Sequence, residues 1–190
     1  MHYTEIAAVI LGLASVYLVI KQNIFCYPLG ILSVAFYVYI FYNVQLYADM
    51  GLQIAFIFLQ CYGWYKWLYG GEQKTKLKIS PSSWKIQFVL LLGVVLSTFS
   101  LGWTLQKKTD AALPYWDSLQ TSLSLAGQWM SARKYIENWL VWIIVNIVSV
   151  GMYYAKDLHF TMVLYAVYLA LAFLGWFEWK RQMKISSTLL

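Results

Sequence analysis

Long apolar runs divided by short charged segments set the terms for this chain. A run of roughly 20 residues crosses the roughly 30 Å hydrocarbon core of a bilayer as a helix rising about 1.5 Å per residue. Seven such runs are readable, at about 4–20, 24–43, 48–69, 86–106, 116–132, 139–155 and 159–179. Composition agrees: of 190 residues, 61% are hydrophobic and 12% charged, against roughly 25% charged in a soluble domain. No globular core of this length hides that much apolar surface, so the sequence predicts an all-α integral membrane protein with seven transmembrane helices. The opening MHYTE lacks the basic start and small-residue cleavage site of a signal peptide, so the first run is expected to remain as a helix. The fifth run, WDSLQTSLSLAGQWMSA, is the most polar and is expected to face protein or water rather than acyl chains.

Charge placement gives the direction of the chain. If all seven runs cross, eleven of the 14 lysines and arginines fall on one side, and only Lys107, Lys108 and Lys156 fall on the other. The positive-inside rule then places the N-terminus outside and the C-terminus in the cytoplasm. Basic residues confined to short loops also argue against a nucleic-acid partner, which would need them gathered on one face. Cys26 and Cys61 lie within apolar runs and read as small core residues rather than a disulfide. His2 and His159 stand too far apart to suggest a metal site.

The sequence repeats itself in a fixed register. GWYKW (63–67) returns as GWFEW (175–179), and LGLAS (11–15) as LSLAG (123–127). The same ungapped register pairs Lys21 with Arg133, Tyr27 with Trp139 and Tyr42 with Tyr154. Runs one and five then point the same way, which requires an odd helix between the repeats to return the chain. The expectation is two parallel three-helix repeats: residues 1–69, then a cytoplasmic loop and linking helix at 70–106, then residues 107–190 with a cytoplasmic tail. Parallel repeats about an axis along the membrane normal are a transporter architecture, with substrate held near the midplane between them.

Function is expected where the halves differ. Trp142 and Asn146 stand where the first half has Gly30 and Val34; Gln53 and Gln60 stand where the second has Tyr165 and Ala172; Gln128 replaces Val16. Trp139, Trp142 and Asn146 share one helical face, and Asn146 lies about 12 Å past Asn138, near mid-membrane. With Gln120 and Trp116 these residues make a candidate polar-aromatic cavity, in which Trp142 stacks on a flat cationic ring. The plainer reading is that an intramembrane carboxamide hydrogen-bonds a neighbouring helix. Trp64, Trp67, Trp176 and Trp179, at the ends of spans three and seven, read as an interfacial indole belt. Asp49 and Asp117 either draw in a cation or cap helix N-termini. No phosphate-binding GxxxxGK[ST] loop, intramembrane carboxylate relay or catalytic cluster is present in the sequence, so neither an enzyme nor a bound cofactor is expected. Passive movement of a small molecule remains, against the alternative of a structural membrane subunit whose polar groups face partner helices.

LYADMGLQ (46–53), GWYKW (63–67), LPYWDS (113–118) and ARKYIENWLVWIIVN (132–146) together resemble the PnuC family of bacterial vitamin transporters, over about residues 11–181. The resemblance implies seven helices in a fold similar to that of the SWEET sugar transporters, facilitated diffusion across the bacterial inner membrane, and homotrimers. It also implies a cytoplasmic kinase that traps the imported substrate. Trp142, Asn146 and Gln53 look like the family's binding signature. Family substrates include nicotinamide riboside, thiamine and riboflavin. The short N-terminus gives a slight preference for thiamine, with nicotinamide riboside as the alternative.

Overall fold

A computed structural model of the chain describes residues 2–43, 45, 47–109 and 112–188. Leu46, which opens the LYADMGLQ stretch, lies outside them. Among the described residues there are seven α-helices: α1 (His2–Ile20), α2 (Cys26–Asn43), α3 (Tyr47–Tyr69), α4 (Trp84–Lys108), α5 (Pro114–Ala132), α6 (Asn138–Ala155) and α7 (His159–Thr188). The expected runs follow these helices closely, to within about two residues at every end but that of α7. The departure is α7, which continues through KRQMK past the apolar run; those residues are good helix formers and need no lipid to stay helical.

Five of the seven, α1, α2, α4, α6 and α7, are long and apolar enough to cross a membrane by length and composition. Helices α3 and α5 fall short of the seven equivalent spans expected. The reason is chemical: α3 carries Asp49, Gln53, Gln60 and Lys66, and α5 carries Asp117, Gln120, Gln128 and four serines. The protein is a multi-pass membrane protein in which the polar groups are concentrated on two helices.

The backbone follows the register of the sequence repeat. Helices α5 and α6 begin and end at the repeat counterparts of the first and last residues of α1 and α2, and α7 begins at the counterpart of the first residue of α3. The turns repeat as well. Gln22 and Lys134 both have φ 53°, and Gln45 and Asp157 both have φ 60°. Such left-handed single residues close a helix and let the chain reverse within a few positions.

By contacts the chain divides into two compact units, Met1–Ile79 with Ser131–Lys134 and Arg181–Leu190, and Ser80–Met130 with Tyr135–Lys180. Within the first, α2 packs on both α1 and α3. Ser33 Oγ donates to Ala8 O at 2.7 Å and Ser15 Oγ to Cys26 O at 2.8 Å, so the polar groups of α1 and α2 are satisfied between helices. Tyr27 meets Trp67 edge-on, with centroids 5.2 Å apart at 89°, and lies against Gly63. Within the second unit the counterpart residues do the same: Trp139 meets Trp179 at 5.4 Å and 89°, against Gly175. Edge-to-face contact suits the aromatic quadrupole, and glycine permits the approach. All four rings are buried. Trp67 and Trp179 are therefore packing residues rather than the interfacial anchors expected of them, while Trp64 is more than a third exposed.

Two further contacts complete the second unit. Ser97 Oγ donates to Ser122 Oγ at 2.8 Å, joining α4 to α5. Glu137 accepts from Ser82 N and Ser82 Oγ, both at 3.0 Å, and clasps the approach to α4 beside the α5–α6 turn.

Candidate functional site

Helices α5, α6 and α7 build a polar-aromatic face within the second unit. On α5, Asp117, Gln120, Ser124 and Gln128 follow one another at spacings of three and four, so they line one side of the helix. On α6, Trp142, Asn146, Ser149 and Tyr153 do likewise. The strip on α5 comes against that on α6 at Gly127. A methyl group there would stand 3.3 Å from Trp142 Cε2 and 3.2 Å from Val141 Cγ1. The bare glycine thus seats the indole against α5.

Asn146, one turn beyond Trp142, is 4% exposed, and its carboxamide makes no hydrogen bond among the described residues. Its carboxamide is not fully enclosed, so the missing bond costs less than the about 1–3 kcal/mol of a dry, unpartnered amide. The plain role foreseen for it, bonding a neighbouring helix, is absent among the described residues. Ser149 differs: its hydroxyl donates back to Val145 O at 2.8 Å and is satisfied within its own helix. A carboxamide that can both donate and accept, one turn from an indole and with no partner among the described residues, is suited to a ligand carrying an amide and a flat ring.

Further along, Gln120 Nε2 donates to the Tyr165 hydroxyl at 3.3 Å, and Tyr165 stacks on Tyr153 with centroids 5.1 Å apart at 24°. This tyrosine pair was not among the residues expected from sequence. Tyr165 is the repeat counterpart of Gln53, so the comparison that singled out Gln53 held the signal for it. At the end of the strip, Lys156 Nζ pairs with Asp117 Oδ1 at 2.8 Å. Asp117 is therefore already neutralised by a cation of its own chain, and ties the start of α5 to the end of α6.

The remaining expected residues sort by their surroundings. Trp139 is 2% exposed and packed against Gly175 and Trp179; its ring faces are occupied by scaffold, and its indole nitrogen has no hydrogen-bond partner among the described residues. Trp116 is 53% exposed. Gln53 and Gln60 belong to the first unit, half-buried and buried respectively. A methyl group on Gly30 would fall on Gln60 Oε1 and stand 2.8 Å from Ser15 Oγ, so Gly30 is the vacancy that Gln60 fills. At the counterpart positions of the second half the sizes are exchanged, with Trp142 for Gly30 and Ala172 for Gln60. One helix–helix position is thus polar in one repeat and aromatic in the other.

A family model described as nicotinamide mononucleotide transporter matches residues 2–181. The nicotinamide riboside transporter PnuC of Escherichia coli (strain K12) is 27% identical over 204 aligned positions, covering 94% of this chain and 85% of that protein. The riboflavin/roseoflavin transporter RibM of Streptomyces davaonensis is 22% identical, covering 93% and 84%. A crystal structure of the vitamin B3 transporter PnuC superposes with a TM-score of 0.74 at 24% identity, covering 96% of this chain and 82% of that one. The resemblance carried by the four sequence motifs is borne out.

Proposed function

This chain belongs to the nicotinamide mononucleotide transporter family, and from that premise we propose that it carries nicotinamide riboside, an NAD precursor, passively across a membrane. The observation that carries the reading is Asn146, buried one turn from Trp142 and with no hydrogen-bond partner among the described residues. Nicotinamide riboside presents a pyridinium ring bearing a carboxamide. Stacked on the indole of Trp142, the cationic ring gains a cation–π attraction of about 2 kcal/mol when desolvated. Its carboxamide then pairs with that of Asn146, each donating one N–H and accepting at one oxygen. Gln128 and Gln120 lie on the facing strip of α5 for the ribose hydroxyls.

Thiamine gives way to nicotinamide riboside as the favoured substrate. Both rings are cationic, so the charge argument never separated them, and the relatives named above transport nicotinamide riboside or riboflavin. The wider picture belongs to the same proposal: seven crossings as two parallel repeats joined by α4, a homotrimer in the bacterial inner membrane, and an outside N-terminus. A cytoplasmic kinase that phosphorylates the imported nucleoside would keep it from leaving by the same path.

Calorimetric titration of detergent-purified protein with nicotinamide riboside, thiamine and riboflavin separately tests the substrate. Liposome uptake tests the mode, which should be saturable and indifferent to ATP and ion gradients. Binding of thiamine without nicotinamide riboside would overturn the substrate, and gradient-dependent uptake would overturn the mode.

A further inference from the structure

The first unit has a cavity of its own, of about 300 Å³, lined by Gln22, Asn23, Trp67, Lys76 and Lys134 among others, and none of the proposed substrate-site residues faces it. We propose that this cavity binds a phosphate group, held by the ammonium groups of Lys134 and Lys76.

Lys134 is the unusual group. It is only 5% exposed, in the turn between α5 and α6, and no carboxylate pairs with it among the described residues. The groups it contacts are neutral: Nζ donates to Gln22 Oε1 at 2.9 Å and stands 4.2 Å from the centre of the Trp67 ring. Gln22 is turned to receive it because its own amide nitrogen is bonded to Gln182 Oε1. Trp67 is held in turn, donating through Nε1 to Ser131 O at 3.1 Å. A buried charge with only dipoles and a ring for company is poorly compensated. Burial pushes the Lys134 ammonium down to about 8, and the nearby Lys76 adds to the lowering.

The side chains lining the cavity hold unspent donors. Lys134 has further N–H groups, Lys76 contributes a second ammonium from an exposed loop, and Asn23 spends its oxygen on Phe25 N at 3.0 Å, leaving its amide nitrogen. Two cations facing one cavity repel each other unless an anion sits between them. A phosphate offers several oxygens to donors arriving from separate directions, and charge-assisted bonds of this type are roughly twice as strong as neutral ones. Gln22 and Lys134 occupy the same left-handed corner of two repeat-related turns. The phosphate can come from a soluble phosphomonoester or from the headgroup of an anionic phospholipid, and the chemistry of the site is the same for both.

The test uses the full chain in an uncharged, phosphate-free detergent. Thermal unfolding is followed during titration with inorganic phosphate, against sodium chloride at matched ionic strength, and lipid retention is followed by native mass spectrometry with phosphatidylglycerol or phosphatidylcholine. A saturable rise in Tm with phosphate assigns the site to a soluble phosphate. Retention of phosphatidylglycerol but not phosphatidylcholine, without a phosphate response, assigns it to a headgroup. In either case Lys134→Gln should abolish the effect. Lys76→Gln, on an exposed loop where folding is not at stake, should weaken it at least fivefold. No response to either probe, or a response unchanged in Lys76→Gln, overturns the proposal.

Discussion

Asn146 allows stability and binding to be separated at a single residue. Asn146→Leu removes an amide that has no partner among the described residues and is not fully enclosed, so thermal stability in detergent should be unchanged or slightly raised. Affinity for nicotinamide riboside, read by calorimetry, should fall at least tenfold. A variant that loses stability and binding together would mean that the amide serves the fold. Trp142→Ala should weaken binding by about 1–2 kcal/mol through loss of the cation–π contact. Lys134 gives a pH dependence. The unfolded chain keeps its proton up to about 10.5, whereas the folded chain gives it up near 8. Between those values the unfolded state binds more protons, so stability should rise with pH across that window, and the Lys134 contribution should be flat below it. Comparing wild type with Lys134→Gln by thermal unfolding isolates this contribution from other titrating groups. An identical pH slope in the two proteins would place the ammonium in water.

Between helices, the contacts that matter are an aromatic edge laid on a glycine, made once in each repeat. Gly175→Val would place a side chain within 2.5 Å of the Trp139 ring, and Gly63→Val would do the same to Tyr27. Each should cost about 1–3 kcal/mol of stability by overpacking. Gly151→Ala and Gly93→Ala meet nothing within 4 Å and should be tolerated. Thermal unfolding of the four variants checks the contrast; equal losses at all four would remove the glycine–aromatic contact as a determinant of packing. The ion pair of Asp117 with Lys156 is of a different kind. With both side chains about a quarter exposed it is screened, and exposed pairs of this kind contribute about 0.2–1 kcal/mol.

For the whole molecule, the charge bias of the loops predicts that a reporter fluorescing only in the cytoplasm will be bright when fused after the C-terminus. A dark, membrane-inserted fusion would reverse the proposed topology.

Helix number, helix ends and the internal repeat were legible from sequence because hydrophobic run length and backbone hydrogen bonding are local properties, and a duplicated segment carries its turns with it. The family was legible for the same reason, through short motifs that stay contiguous. Side-chain partners were not. Trp67 and Trp139 look like an anchor and a ligand platform in one dimension, and become a repeated packing contact once Gly63 and Gly175 stand opposite them. Asp117 reads as a cap until Lys156, 39 positions away, neutralises it. Residue type and spacing determine which groups share a helix face. Only tertiary structure decides which of those groups are satisfied by a neighbour and which, like Asn146, have no hydrogen-bond partner among the described residues, because burial and hydrogen bonding depend on atoms distant in the chain.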